Sequence, residues 1–341
     1  MAERPWDEDH LPLVGKDVDN RPTTWLVRVV RELPHPDSAL VTEVVRTHDG
    51  TELVRRSLPV ERGAAVERLL DNEIRALNRV GRRYPGGRHP GELPRLVGFD
   101  FDSAEPFALL SRYPGPTVGD TLRTLLTDER RKFTVSLFRA LAQLAAVDLV
   151  HGAVGLSSMC WDGAVVRLIG FEHALLAGER VRPGVTPAHL GDDVLAAGLV
   201  VHRLMTGRAP ARRDAPPDLT GAPDAITSLL RGVFDQDPGR RPAARDLLER
   251  LGAGGDLPEP LDPDTALRAG RERFDRARPA KAVRVPPPPL LRPDPAPPPP
   301  TRGPVPPVRR PAPRRGTWPL LPVGLVVVLL AATVVLLVVT R

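Results

Sequence analysis

Residues 318 to 339 form an uncharged run of 22 positions, dominated by valine and leucine. At 1.5 Å per residue, a helix of that length is about 33 Å long, enough to cross a bilayer core. Residues 281–317, just upstream, form a basic, proline-dominated linker that includes Pro286 to Pro289 and Pro297 to Pro300. Such a stretch has few N–H donors and no apolar periodicity, so it is expected as a disordered, extended polyproline spacer. These two segments confine globular packing to roughly the first 255 residues. Arg309, Arg310, Arg314 and Arg315 precede the apolar run and only Arg341 follows it. Positive residues stay on the cytoplasmic side. The expectation is a single-pass tail anchor in the cell membrane, with the folded part in the cytoplasm and the C-terminus outside.

Composition narrows the rest. The chain has 341 residues, a net charge of +6 and only 4% aromatic residues. Basic residues are spread along it, and their densest cluster lies beside the apolar run, where membranes attract positive charge. With few rings to stack on bases, nucleic acid is not an expected partner. Cys160 is the only cysteine. It excludes an internal disulfide and reads as a buried structural thiol. No Cys/His cluster suggests a metal site. Lys16, Lys132 and Lys281 are the only lysines, and the other 45 basic residues are arginine. No lysine stands between residues 17 and 131.

Residues 1–22 mix charges and prolines without an apolar core and read as an N-terminal tail, not a signal peptide. Leu26 to Arg31 and Ala39 to Val45 alternate as strands do, and the turn His48-Asp49-Gly50 leads to a third strand around Glu52 to Leu58. Val66, Leu69, Leu70, Ile74 and Leu77 have helical spacing over residues 65–80. Two apolar strands follow, then Pro114-Gly115-Pro116. Helices are expected over residues 117–126, 130–150, 193–206, 222–234 and 243–251. Residues 256–280 read as a charged helical extension, solvated or packed on the edge of the second half.

His151 to Cys160 reads H-G-A-V-G-L-S-S-M-C. Laid in register, it resembles the catalytic loop of protein kinases, H-R-D-L-x-x-x-N. Other family signatures follow in order. Gly170-Phe171-Glu172 stands where kinases carry D-F-G. Asp193 opens a D-x-x-x-x-G pattern. Leu204 to Pro210 resembles L-x-T-G-x-x-P, and Asp237 to Pro242 resembles D-P-x-x-R-P. Upstream, Asn72 to Leu77 resembles the family's αC helix, with its glutamate at Glu73, and Phe107 to Tyr113 resembles the strand leading into the hinge. Small-molecule phosphotransferases begin the same loop with H-G-D, but the T-G-x-x-P and D-P-x-x-R-P signatures favour the bacterial serine/threonine protein kinase branch. The resemblance covers about residues 24–252. It implies an α+β, two-lobed kinase-like domain over residues 23–255, with a small β-rich N-lobe to about residue 112 and a mainly helical C-lobe after it.

The same alignment places losses at the reactive positions. The general-base slot is Ala153, the two metal-ligand slots are Ser158 and Gly170, and the phosphate-lysine slot is Arg56. Arginine keeps the charge but is bulkier and forked, so pairing with Glu73 is the favoured role for Arg56 over phosphate binding. Glu32 to Ser38, in the place of the glycine-rich loop, has no glycine and two prolines. Asp162 and Glu172 are the nearest carboxylates that could replace the metal ligands. Glu73, His151, Phe171, Asp193 and Arg241 remain as structural relics. The resemblance implies that His151 stacks on Phe171 and that Asp193 accepts hydrogen bonds from the loop backbone. Only 23 positions separate Gly170 from Asp193, so Arg241 lacks its usual glutamate and must find another carboxylate, Asp192 for instance, or face solvent. Ser111, Arg112 and Tyr113 form the hinge that would contact an adenine.

No cofactor is expected, with metal-free ATP binding at that hinge as the alternative. The leading expectation is a membrane-tethered pseudokinase, a cytoplasmic scaffold or allosteric regulator of another protein, such as an active kinase or a membrane complex. Two alternatives stand beside it. One is a weakly active serine/threonine kinase with an unconventional metal site. The other is an adaptor working through the proline-rich segment.

Overall fold

The computed structural model describes residues 10–272, apart from residues 34–36, 62, 122–124, 183, 209–216, 218, 221, 263, 266 and 269. The proline-rich segment and the apolar run lie outside the described residues. Among the described residues, no helix is long and apolar enough to cross a membrane. The described chain is a mixed α/β structure, β-rich at its N-terminal end and mainly helical afterwards.

Six antiparallel strands close a barrel: β1 (Leu11–Asp17), β2 (Pro22–Glu32), β3 (Val41–Thr47), β4 (Glu52–Ser57), β5 (Leu96–Asp100) and β6 (Phe107–Ser111). Their order is β1-β2-β3-β4-β6-β5, and β1 pairs back onto β5 through Lys16–Phe99 and Asp17–Gly98. The expected tail over residues 1–22 is therefore corrected, because its second half is β1. Leu13 is the one buried apolar side chain of that strand, so its alternation is faint beside the flanking charges and prolines. The β1–β2 turn is nonetheless well encoded. Asp17 Oδ1 accepts the N–H groups of Asp19 and Arg21 at 2.9 and 2.8 Å, and Asn20 takes the left-handed φ of 61° that asparagine tolerates.

The barrel holds Leu13, Val27, Val45, Leu53, Phe107 and Leu109, with Trp25 and Val97 against them. Trp25 meets Phe107 edge-on at 6.3 Å between centroids and lies on the bare Cα of Gly98, where any side chain would collide with it. Alternate residues of β4 and β6, namely Val54, Ala108 and Leu110, point outward into a second core with α1 (Ala64–Arg83). Burial on both faces explains why Phe107 to Leu110 is continuously apolar rather than alternating. Leu70, Ile74, Leu77 and Val80 form the inner stripe of α1.

After β6 come α2 (Val118–Thr121), α3 (Thr127–Ala145), β7 (Leu149–Val150), β8 (Met159–Trp161), β9 (Val166–Leu168), β10 (Leu175–Leu176), α4 (Leu190–Thr206), α5 (Asp224–Leu229) and α6 (Ala244–Arg250). The pairs β7–β10 and β8–β9 are two small antiparallel ladders. Phe133, Leu137, Phe138, Leu141 and Leu144 of α3 pack with Val194, Ala197, Val200, Val201 and Leu204 of α4. The helices expected over 117–126 and 222–234 are shorter than the apolar pattern suggested. Of the described residues at the first, Val118–Thr121 is helical and Leu125 and Leu126 are not, and at the second Leu230 to Phe234 leave the helix as turns. The charged extension lies outside the described residues after 272; at its start, Leu261 N–H donates to the Arg83 carbonyl at 2.7 Å, at the C-terminal end of α1.

Candidate functional site

Arg56 of β4 is almost wholly buried, and its guanidinium gathers groups from four other elements. Its Nε stands 3.1 Å from Glu73 Oε2 of α1. One Nη donates to Thr42 Oγ1 of β3 at 3.0 Å. The other donates to Ser38 Oγ, ahead of β3, at 3.1 Å and to Glu172 Oε2, in the turn after β9. Ser38 Oγ in turn donates to Glu172 Oε2 at 2.7 Å. Asn72 of α1 donates to the Glu172 carbonyl at 3.1 Å, so both the side chain and the backbone of Glu172 are held. The side chains of Arg56, Glu73 and Glu172 are 2%, 0% and 3% exposed. Burial pushes the Glu73 carboxyl up; Arg56 opposes this and Glu172 adds to it.

The loop after β7 is fixed from behind. Asp193, buried near the start of α4, accepts the His151 and Gly152 N–H groups at 2.6 and 2.9 Å. His151 Nε2 lies 3.1 Å from the Ile169 carbonyl, and its ring meets Phe171 edge-on at 4.6 Å. Gly152 has φ 74°, and a Cβ there would stand 2.6 Å from the His173 carbonyl oxygen. This close approach ties the loop to the Phe171–His173 turn. Ser158 Oγ is spent locally, accepting from Gly155 N–H at 2.9 Å and donating to its carbonyl at 3.0 Å. Gly170 takes φ 74°, the left-handed entry to that turn. Arg241 meets Asp192 Oδ1 at 2.9 Å and the Gly191 carbonyl at 3.0 Å.

A divalent cation finds no matching donor set here. Glu172 points at Arg56 rather than into an open site. Asp162 Oδ1 closes a turn by accepting the N–H groups of Ala164 and Val165 at 2.9 and 2.7 Å. Ala153 and Gly170 have no side-chain donor. Among the described residues, no group of three or more His, Cys, Asp or Glu could hold a metal ion. At the hinge, Ser111 N–H donates to the Arg95 carbonyl at 2.8 Å, and Arg112 pairs with Glu52. Burial and the Glu73 charge push the Tyr113 phenol up, so it stays protonated. Gly115 lies on the Trp161 carbonyl of β8, which pins the hinge bend.

The structure thus joins Arg56 to Glu73, His151 to Phe171 and Asp193, and Arg241 to Asp192. Ser158 and Ala153 stand apart from the Arg56 cluster. Sequence reasoning missed Ser38, Thr42, Asn72 and Gly152. Ser38, Thr42 and Asn72 are ordinary polar residues whose roles depend on contacts 100 or more positions away or across a strand pair. The pairing of Gly152 with His173 has no local sequence signal.

No protein-family profile matches the chain. It is similar to the probable serine/threonine-protein kinase PkwA of Thermomonospora curvata, 26% identical over 222 residues. That similarity takes in 55% of this chain and 29% of the relative, so the chain spans under a third of the protein it matches.

Proposed function

We propose that the barrel and the helical part are the two lobes of a protein kinase-like domain that no longer transfers phosphate, and that the protein works as a cytoplasmic scaffold or allosteric regulator of another protein. In this reading residues 318–339 hold it at the membrane. The observation that carries the proposal is the saturation of Arg56. In the place of the phosphate-binding lysine stands a guanidinium already occupied by Glu73, Glu172, Ser38 and Thr42. Phosphoryl transfer needs that cation free, together with metal ligands and a positioned base. Ser158, Gly170 and Ala153 fill the corresponding slots. The similarity to a probable serine/threonine-protein kinase supports the frame, and the saturated site supports loss of the chemistry.

The test uses the full chain in detergent micelles. ATP with magnesium should produce no thermal shift beyond that of ATP alone, and no phosphate should appear on the chain or on generic protein substrates. A magnesium-dependent shift accompanied by transfer would overturn the reading. A parallel pull-down from membranes, with and without residues 279–341, separates a partner of the folded domain from one of the proline-rich segment.

A further inference from the structure

Four charged or titratable groups stand in one line from the interior to the surface. Glu73 Oε2 lies 3.1 Å from Arg56 Nε, Glu172 Oε2 contacts the Arg56 Nη, and Glu172 Oε1 lies 3.8 Å from His173 Nε2. The first three side chains are buried, whereas that of His173 is 46% exposed. The groups facing this line from the surrounding elements are Thr42 of β3, Ser38 ahead of β3, Asn72 of α1 and Tyr113 beyond β6. None of these is a cation. Among the described residues, no further Lys, Arg or His pairs with either carboxylate.

The charge does not balance. Arginine stays protonated throughout the accessible pH range, so one guanidinium faces two carboxylates in a site shielded from water. With both ionised, a surplus negative charge is buried, which is strongly unfavourable. One proton on the line restores neutrality. Glu73 is the carboxyl that burial pushes up, with the Glu172 charge adding to the rise and Arg56 and the Phe171 N–H opposing it. The two carboxylates are anchored differently. Glu73 lies in the middle of a 20-residue helix with Ile74 and Leu77 packed beside it. Glu172 lies in the three-residue turn Phe171–His173, next to a half-exposed imidazole.

We propose that Glu73, Arg56, Glu172 and His173 form a proton-operated latch between the barrel and the segment from Phe171 to His189. With one proton on the line, Glu172 stays on Arg56 and the turn is clamped. When the carboxyl gives its proton to solvent, the surplus charge expels Glu172, which sits on a three-residue turn rather than in mid-helix, past His173, breaking its side-chain bonds to Arg56 and Ser38. Glu73 then keeps Arg56, and the turn lets go. The chain following the turn is a loop closed on itself, with Gly178 N–H donating to the Ala188 carbonyl and Ala188 N–H to the Glu179 carbonyl, both at 2.8 Å. Arg75 of α1 holds that loop through Glu179 at 3.2 Å. Release would therefore change the surface that the domain presents beside α1.

Tryptic cleavage after the exposed Arg180, which Val181 follows, reads the latch, using the full chain in micelles. At each pH, the wild-type rate is divided by that of Glu73→Gln, which cancels the pH dependence of trypsin and of groups outside the line. The ratio is expected to rise several-fold from mildly acidic to mildly alkaline buffer. Glu172→Gln also leaves one carboxylate on Arg56, so its cleavage relative to Glu73→Gln should not vary with pH; should Glu73→Gln fail to fold, Glu172→Gln replaces it as the reference. Infrared difference spectra provide an independent readout: in mildly acidic buffer, a protonated-carboxyl band in wild type beyond the Asp193 contribution that Glu73→Gln shares, lost as pH rises. A wild-type ratio flat with pH, or wild type without that band, overturns the latch.

Discussion

Asp193 holds His151 by its backbone: the carboxylate Oδ2 accepts the His151 N–H at 2.6 Å, and Oδ1 accepts the neighbouring Gly152 N–H at 2.9 Å. Removing the carboxylate leaves two buried donors unpaired, at about 1–3 kcal/mol each. Asp193→Ala should therefore destabilise the domain by about 3 kcal/mol or more. Ser158→Ala loses only a local hydroxyl bridge to Gly155, worth about 1 kcal/mol. Denaturant midpoints of the two variants check the ranking, and equal losses would mean that the loop is not organised from α4.

The same carboxyl gives a pH signature. Burial pushes Asp193 up from 3.8 to about 7, against the two N–H groups that favour its ionised form. A group whose folded pKa is raised binds its proton more tightly in the folded state. Its stabilising contribution is full below 3.8 and is lost as pH rises toward about 7. Asp193→Asn should flatten the stability curve across that window while lowering it throughout, since the amide cannot accept both N–H groups. Wild-type stability rising through the window, with Asp193→Asn unchanged in shape, would contradict the assignment.

Much of this frame could be read from the chain because its signals are local. The helical spacing of Leu70, Ile74 and Leu77 marked α1, and the family-like motifs drew attention to Glu73, His151, Phe171, Asp193 and Arg241. What escaped was long-range. β1 presents one buried apolar residue, so nothing marks it as the strand that closes the barrel. Glu172 looked like a displaced metal ligand, because the two-residue shift was visible and the direction of its side chain was not. Its actual partners, Arg56 and Ser38, are 116 and 134 positions away.

Two glycines should respond in opposite ways to alanine. Gly152 combines φ 74° with a carbonyl oxygen 2.6 Å from any added Cβ. Gly152→Ala should cost about 2 kcal/mol from left-handed strain and backbone displacement together. Gly81 lies within α1 with nothing near its missing Cβ. Gly81→Ala should stabilise by about 0.5–1 kcal/mol through lower unfolded-state entropy and better helix propensity. Thermal midpoints moving in the same direction would refute one of the two arguments.

The expected orientation in the membrane is checked with cysteine chemistry. Cys160 is 4% exposed and its thiol is pushed up to about 11 by burial, so it reacts poorly with maleimide. Arg341→Cys should be labelled by a membrane-impermeant reagent on intact cells, and the parent chain should not. Labelling only after lysis would place both ends of the apolar run on the cytoplasmic side.

His202 offers the clearest stabilising change. It lies in α4 with 2% of its surface exposed, and neither ring nitrogen has a hydrogen-bond partner. Its neighbours on the buried stripe include Val201 and Leu204. An unpaired buried polar group costs about 1–3 kcal/mol. Leucine is close to imidazole in volume, favours the helix and carries no polar atom to satisfy. His202→Leu should therefore raise stability by about 1–2 kcal/mol, seen as a higher denaturant midpoint with an unchanged slope. His202→Gln keeps an unpaired polar group at the same depth and should gain nothing. A midpoint that falls for leucine and holds for glutamine would show that the site needs a polar side chain, and the orphan status of His202 would be wrong.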